Sequence, residues 1–535
     1  MRFCCHTLGC FLLILGVGFG CGSGDDGDNA AEDVCGGDGC AAGDVAEPPA
    51  EVCESALEFV FTQGSTKIYV LSGNLDGSFD PATEVVLQVL NADTGQVVDE
   101  AASSLDNASA LALDAAAGLA RIQTRVLAIA KGQSMPVATG TSVAYAPGVD
   151  SVSVWVHSQG SWAGVRNVAT CEPTQAVHAR YGHTANLLKD GRILIVGGAK
   201  PPAIPAFPTD GDLGALQTDI EVYDPANGSL TVLPNGLPEG RVFHTATVLS
   251  DGKVLVAGGL TGTVGSLNPV SSTVLIDPAE GFAVDVTSVP MQRPRAKHAA
   301  IYAPELDAVL LVGGAVGSAE SDLWKSSGSV PIPTVQNRAF HTLTFVPEAK
   351  AAIAIGGEVG DTVVNNAELF QLSGSVQSSG VIPLPAAGER TLHGAVYLDS
   401  VQKVYIAGGF KDTKHTNASK DVLEWDPQTN AVTYIPFQMA DKRGAPAMIP
   451  FASSNIVLVA GGYTLSGALN TAEVIVVAKG GAGLGLPEVS ILAAPPMPAS
   501  VFGSAAILEG TGRGFVSGGS RGDASAQPAM FLYTP

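Results

Sequence analysis

RILIVGG (192–198), KVLVAGG (253–259), AVLLVGG (308–314), AAIAIGG (351–357), KVYIAGG (403–409), IVLVAGG (456–462) and GFVSGG (514–519) are seven versions of one phrase. Each is a short apolar run closed by two glycines: Gly197-Gly198, Gly258-Gly259, Gly313-Gly314, Gly356-Gly357, Gly408-Gly409, Gly461-Gly462 and Gly518-Gly519. Successive pairs begin 43 to 61 residues apart. A period near 50 marks an array of structural repeats, each too small to bury its own core.

More than the glycines recurs. Five repeats carry Arg-x-x-His ahead of the glycines: Arg180/His183, Arg241/His244, Arg295/His298, Arg338/His341 and Arg390/His393. The sixth keeps only Arg443, and the seventh has Ser500-Val-Phe-Gly and keeps neither. A third apolar segment follows each glycine pair, as in EVYDP (221–225) and VLEWDP (422–427). A fourth weak strand ends some units, as in VTYIP (432–436). One unit thus reads as four short strands. Asp190-Gly191 and Asp251-Gly252 suit the hairpin between the first two, since glycine accepts positive φ. The second strand is a near-continuous Val/Ile/Leu/Ala run, as expected of a strand covered on both faces.

Arg-x-x-His, a hairpin, an apolar strand ending in Gly-Gly and then V/L-Y/W-D-P resembles the kelch repeat. GHTANLLKDGRILIVGG (182–198) is especially similar to bacterial kelch repeats related to the galactose-oxidase propeller. The resemblance covers roughly residues 173–535. It implies an all-β chain with a seven-bladed propeller of four-stranded blades around a channel. It also implies that the repeat histidines lie near blade-to-blade joints. The copper site of the galactose-oxidase family would need a Tyr–Cys thioether. No Cys follows Cys171, so the propeller cannot form one within itself. The simplest reading of Arg-x-x-His is packing and hydrogen bonding between blades. The last unit lacks its fourth strand, and SWAGVRNVATCEP (161–173) precedes the first. Residues near 162–170 are therefore expected to complete the last blade and remove an exposed sheet edge.

The flanking sequence sets the address. FLLILGVGFG (11–20) is too short to span a bilayer and reads as the apolar core of a signal peptide over residues 1–20. Cys21 follows, as in a bacterial lipoprotein, and is the expected lipidation site. Gly18 departs from the usual Leu three positions before it. Residues 21–52 read as an acidic tether, with nine acidic residues and no Lys or Arg over 22–51. Cys35, Cys40, Cys53 and Cys171 remain for disulfides, with Cys35–Cys40 and Cys53–Cys171 the preferred connectivity. Residues 53–158 carry β-like runs at 57–62, 67–71, 84–90, 121–130 and 151–157. They are expected to form a small immunoglobulin-like β-sandwich ahead of the propeller at 159–535. Residues 101–120 read as a short helix or loose crossover.

Net charge is −23, which argues against nucleic acid as a partner. No nucleophile elbow or other reactive constellation is visible, so no enzyme activity and no cofactor are expected. The expected function is an exported, monomeric lipoprotein at the outer membrane or cell surface of a Gram-negative bacterium. The lipid would be its only membrane contact. Its loop face would bind or scaffold a protein or glycan. Lys411, Lys414, His415 and Lys420, in FKDTKHTNASKD (410–421), are candidate contacts for an anionic ligand. The alternative is an extracellular propeller enzyme, a glycan hydrolase or oxidase-like, whose active site the sequence does not reveal.

Overall fold

The computed structural model describes residues 57–535, apart from 73–82, 114–118, 202–209, 479–488, 520–529 and scattered shorter stretches. From 161 onward the chain builds seven four-stranded antiparallel sheets. Blade one is 184–187, 193–196, 220–224 and 229–232. The next five repeat that order, starting from inner strands 245–248, 299–303, 342–346, 394–398 and 447–451. Blade seven takes 505–508, 514–517 and 530–534, and its fourth strand is 161–164. Each inner strand touches the next, and blade seven touches blade one, so the ring is closed.

The second strands explain their own sequences. All residues of 193–196, 254–257, 308–312 and 351–355 are buried, because neighbouring blades cover both faces. Cores therefore run between blades: Leu194 and Val196 of blade one share a cluster with Val254 and Val256 of blade two. The closing strand pairs Trp162 with Tyr533 and Ala163 with Leu532. Trp162 packs on the Tyr533 ring at 5.0 Å and donates from Nε1 to the Pro495 carbonyl at 2.9 Å. The clasp thus ties blade seven and blade six to a strand from before the first blade. It is shorter than the 162–170 expected and begins one residue earlier.

Ahead of the ring, residues 57–158 form one continuous eight-stranded sheet. It has two halves that share strand 151–158, one with 57–63, 66–72 and 112–113 and the other with 84–91, 97–104, 122–129 and 138–141. Strand 66–72 pairs in parallel with 151–158, and 57–63 in parallel with 112–113. Both halves of the sheet nevertheless bury one core, with Phe61, Ile68, Val85, Leu87, Val126, Val154 and Val156 in contact. The sheet is therefore curled on itself. The segment read as helix or crossover begins instead as edge strand 97–104, followed by a 3-10 turn at 105–110.

Strand 151–158 is also the contact with the ring. Val154 and Val156 enter the sheet's core, while Trp155 and His157 are buried on the other side. There Arg513 Nη1 donates to His157 Nε2 at 2.9 Å, and Arg513 Nε donates to Glu509 at 2.5 Å. Burial and the adjacent guanidinium pull the His157 pKa down to about 3, so it stays a neutral acceptor. Gln123 Nε2 adds a bond to the Gly510 carbonyl at 2.8 Å. The sheet thus docks on the face opposite the glycine pairs, against blade seven.

Candidate binding face

The glycine pairs and the arginines meet on one face of the ring. Each of the six arginines is fully buried and sends Nη1 to the carbonyl of the first glycine in its own blade. The distances run from 2.6 Å at Arg295–Gly313 to 3.3 Å at Arg390–Gly408. The backbone completes the joint. The second glycine of each pair donates to the carbonyl of the next blade's arginine, as in Gly198 to Arg241 and Gly259 to Arg295. Gly462 donates to Val501, which occupies the missing arginine's place, and Gly519 returns to Arg180. Glycine is required here. At Gly313 φ is 72°, and a Cβ would stand 2.1 Å from the Arg338 oxygen.

Four arginines also face a buried acid from the third strand: Glu221 at 2.6 Å, Asp322 at 2.5 Å, Glu473 at 2.8 Å and Glu368 at 3.7 Å. Arg390 has no buried acid of this kind, and burial lowers its pKa to about 10. The histidines reach across the same joints. Nε2 of His244, His298 and His393 lies 3.2, 3.0 and 2.8 Å from Thr184, Thr245 and Thr342 of the preceding blade. His183 uses Ser517 instead, at 3.2 Å. Ala299 stands at the equivalent position for His341, whose ring nitrogens have no hydrogen-bond partner among the described residues. Burial is the main cause that holds His183 and His244 near pKa 3. Four of the five histidines thus bridge neighbouring blades.

The residue before each histidine position lies in the left-handed region: Gly182, Phe243, Lys297, Phe340, Leu392, Ala445 and Gly503. Their backbones form a necklace around the axis. Phe243 N–H donates to Gly182 O, Lys297 to Phe243, Phe340 to Lys297, and on to Gly503. The side chains of Phe243, Lys297 and Phe340 pack against one another where this necklace runs. Phe243 and Phe340 meet edge to face at 5.6 Å, and Lys297 Nζ sits 4.9 Å over Phe340 while pairing with Asp210 at 2.7 Å.

Around this necklace stand loops with apolar tips. Blades two, four and six extend two-stranded ribbons after their glycines, at 260–269, 358–363 and 463–468. Val264, Val359 and Leu465 sit on them at 60%, 42% and 72% exposure, and Val316 of blade three is 54% exposed. An apolar residue set among turn residues, as in TGTVGS (261–266) and TLSG (464–467), was the readable signal for these tips.

The predicted basic loop does not converge. Lys411 is held by Asp421 at 2.9 Å and lines a rim cavity of about 340 Å³ with Tyr434 and Phe437. His415 turns inward beside Phe410 and Phe340, 3.5 Å from Glu358. Lys414 is exposed and Lys420 half-buried. Cys21, Cys35, Cys40, Cys53 and Cys171 lie outside the described residues. Among the described residues no group of three or more His, Cys, Asp or Glu is placed to hold a metal ion.

No protein-family model matches the chain, and no curated protein matches it. Among solved structures it is similar to a fungal alcohol oxidase of the AA5 family, in complex with copper, at TM-score 0.48 and 14% identity. That match covers 67% of this chain and 74% of the oxidase.

Proposed function

We propose that this chain is an exported kelch-type propeller lipoprotein, anchored through Cys21, that binds a protein partner on the glycine-pair face. One observation carries the binding reading: the exposed apolar tips Val264, Val316, Val359 and Leu465 surround the rigid necklace on a single face. Water-exposed apolar side chains gathered around a fixed scaffold are the mark of a recognition surface. They favour a protein over a glycan, because a sugar offers little apolar area to cover them. The acidic tether between the lipid and the folded body would hold that face away from the membrane.

Photo-crosslinkers placed at residues 264 and 465 of the full chain test this in envelope preparations. Discrete adducts should form from both positions, and Val316→Asp should abolish them. A crosslinker at Asp251, on the opposite face, should give none. Equal adducts from Asp251, or none from the tips, would end the reading.

A further inference from the structure

We propose that the cleft between the N-terminal sheet and the underside of blades six and seven is a binding site for a carboxylated sugar unit. The cleft lies on the opposite side of the ring from the apolar tips, so this site and the proposed binding face stand or fall separately.

The cleft has a volume of about 270 Å³. That is close to the lower end of small-molecule sites and has room for one sugar ring. Arg125, Thr139 and Thr141 of the sheet line one part, and Ser453, Ser454 and Thr511 of the blade undersides line another. Arg125 carries the inference. It sits on strand 122–129 between Gln88 and Thr141, is partly buried, and its guanidinium makes no ion pair or hydrogen bond with any described residue. Two other cations withdrawn from water are matched, Arg513 by Glu509 at 2.5 Å and Lys403 by Glu424 at 2.5 Å, while Arg390 is met by backbone carbonyls. The chain has 51 acidic against 28 basic residues, so an unmatched guanidinium in a partly closed cleft is conspicuous. Its removal from water already lowers its pKa. A bound carboxylate would supply the missing charge, and the planar fork suits it bidentately.

Thr534 and Gln159 add to these hydroxyls, and Leu127, Pro535 and the Glu509-paired Arg513 complete the wall. Threonine and serine both donate and accept, which matches the alternating needs of vicinal sugar hydroxyls. One unmatched positive charge suits a monoanion better than a phosphate. A ligand here would touch both the sheet and the ring, so binding would raise the thermal midpoint of the whole body.

The test is calorimetric titration of the full chain with galacturonate, glucuronate, galactose and inorganic phosphate. The sugar acids should bind, with galactose and phosphate at least about tenfold weaker. Arg125→Gln should weaken the sugar acids by about tenfold or more, the scale of a lost charge-assisted bond. Its ligand-free thermal midpoint should be unchanged, since the guanidinium has no partner among the described residues to lose. Ser454→Ala, on an exposed turn, should weaken binding by about threefold to tenfold and gives a second handle if Arg125→Gln misfolds. Phosphate binding as tightly as the sugar acids would mean an adventitious ion only. That result, unchanged affinity in both variants, or no heat from the sugar acids at about 20 mM would overturn the proposal.

Discussion

Arg295→Met is the sharpest probe of the blade joints. Arg295 and Asp322 are both fully buried and lie 2.5 Å apart. Arg295 also donates to the carbonyls of Gly313 at 2.6 Å and Glu320 at 3.2 Å. Methionine keeps most of the volume but leaves Asp322 as a buried charge with only Gln292 N–H and Ser329 Oγ as donors. Removing one partner of a buried pair costs about 3–5 kcal/mol. At the specific unfolding entropy of globular proteins, that lowers the midpoint of a ring this size by about 5 °C. Arg390 provides the contrast. Among the described residues it bonds only to carbonyls, those of Gly388, Gly408 and Asp421, and its Nη2 has no partner. Losing those bonds is offset by relief of an unmatched buried charge, so Arg390→Met should cost about 1–2 kcal/mol. Scanning calorimetry of the two variants decides the matter. If Arg390→Met proves as damaging as Arg295→Met, the third-strand acids do not act as counter-charges and the account of the joint is wrong.

Four further outcomes are expected. Ala299→Thr should give His341 the hydroxyl its counterparts have and stabilise the ring by about 1 kcal/mol, measured in urea. Acid should unfold the ring early. His183 and His244 have folded pKa values near 3, below the ordinary 6.5, so the unfolded chain binds more protons as pH falls. Stability is then lost from about pH 6.5 down to 3, by about 2 kcal/mol per imidazole at pH 5, and His244→Gln should flatten the urea-midpoint slope across that range. Trp162→Ala should cost about 3–5 kcal/mol by opening the clasp against Tyr533, read as a lower calorimetric midpoint. Cys21→Ser should move the protein from the membrane to the soluble fraction of an expressing cell, and an unchanged distribution would remove the anchor.

The repeat was legible because each of its marks answers a local constraint. Gly313 has a backbone angle and a neighbour that exclude a side chain, and Val309–Val312 is buried from both sides. The acids that face the arginines were not legible. Glu221 and Asp322 stand in the third strand as single polar letters, and only the fold aims them at Arg180 and Arg295. The curled sheet was half legible. Strand 97–104, VVDEAASS, lies at a sheet edge with alternate residues exposed, so its letters look like loop. Trp155 and His157 sit on the polar side of an alternating strand, and nothing local reveals that the ring covers them. The apolar tips were written plainly, but an isolated valine between glycines carries no message until the blades set four of them on one face.

The necklace and its joints are uneven, and this sets where the ring yields first. Blade seven has Val501 in the arginine's place and Ser504 in the histidine's, so among the described residues no side chain holds the Gly518 carbonyl as Arg180 holds that of Gly197. Blade seven is also the one built from two distant parts of the chain. It is the seam, and its amides should exchange with deuterium ahead of those in blades three and four. The N-terminal sheet rests on that seam through His157, Arg513 and Gln123. The small sheet thus acts as a splint, and a force or ligand that lifts it would loosen the ring at one known place.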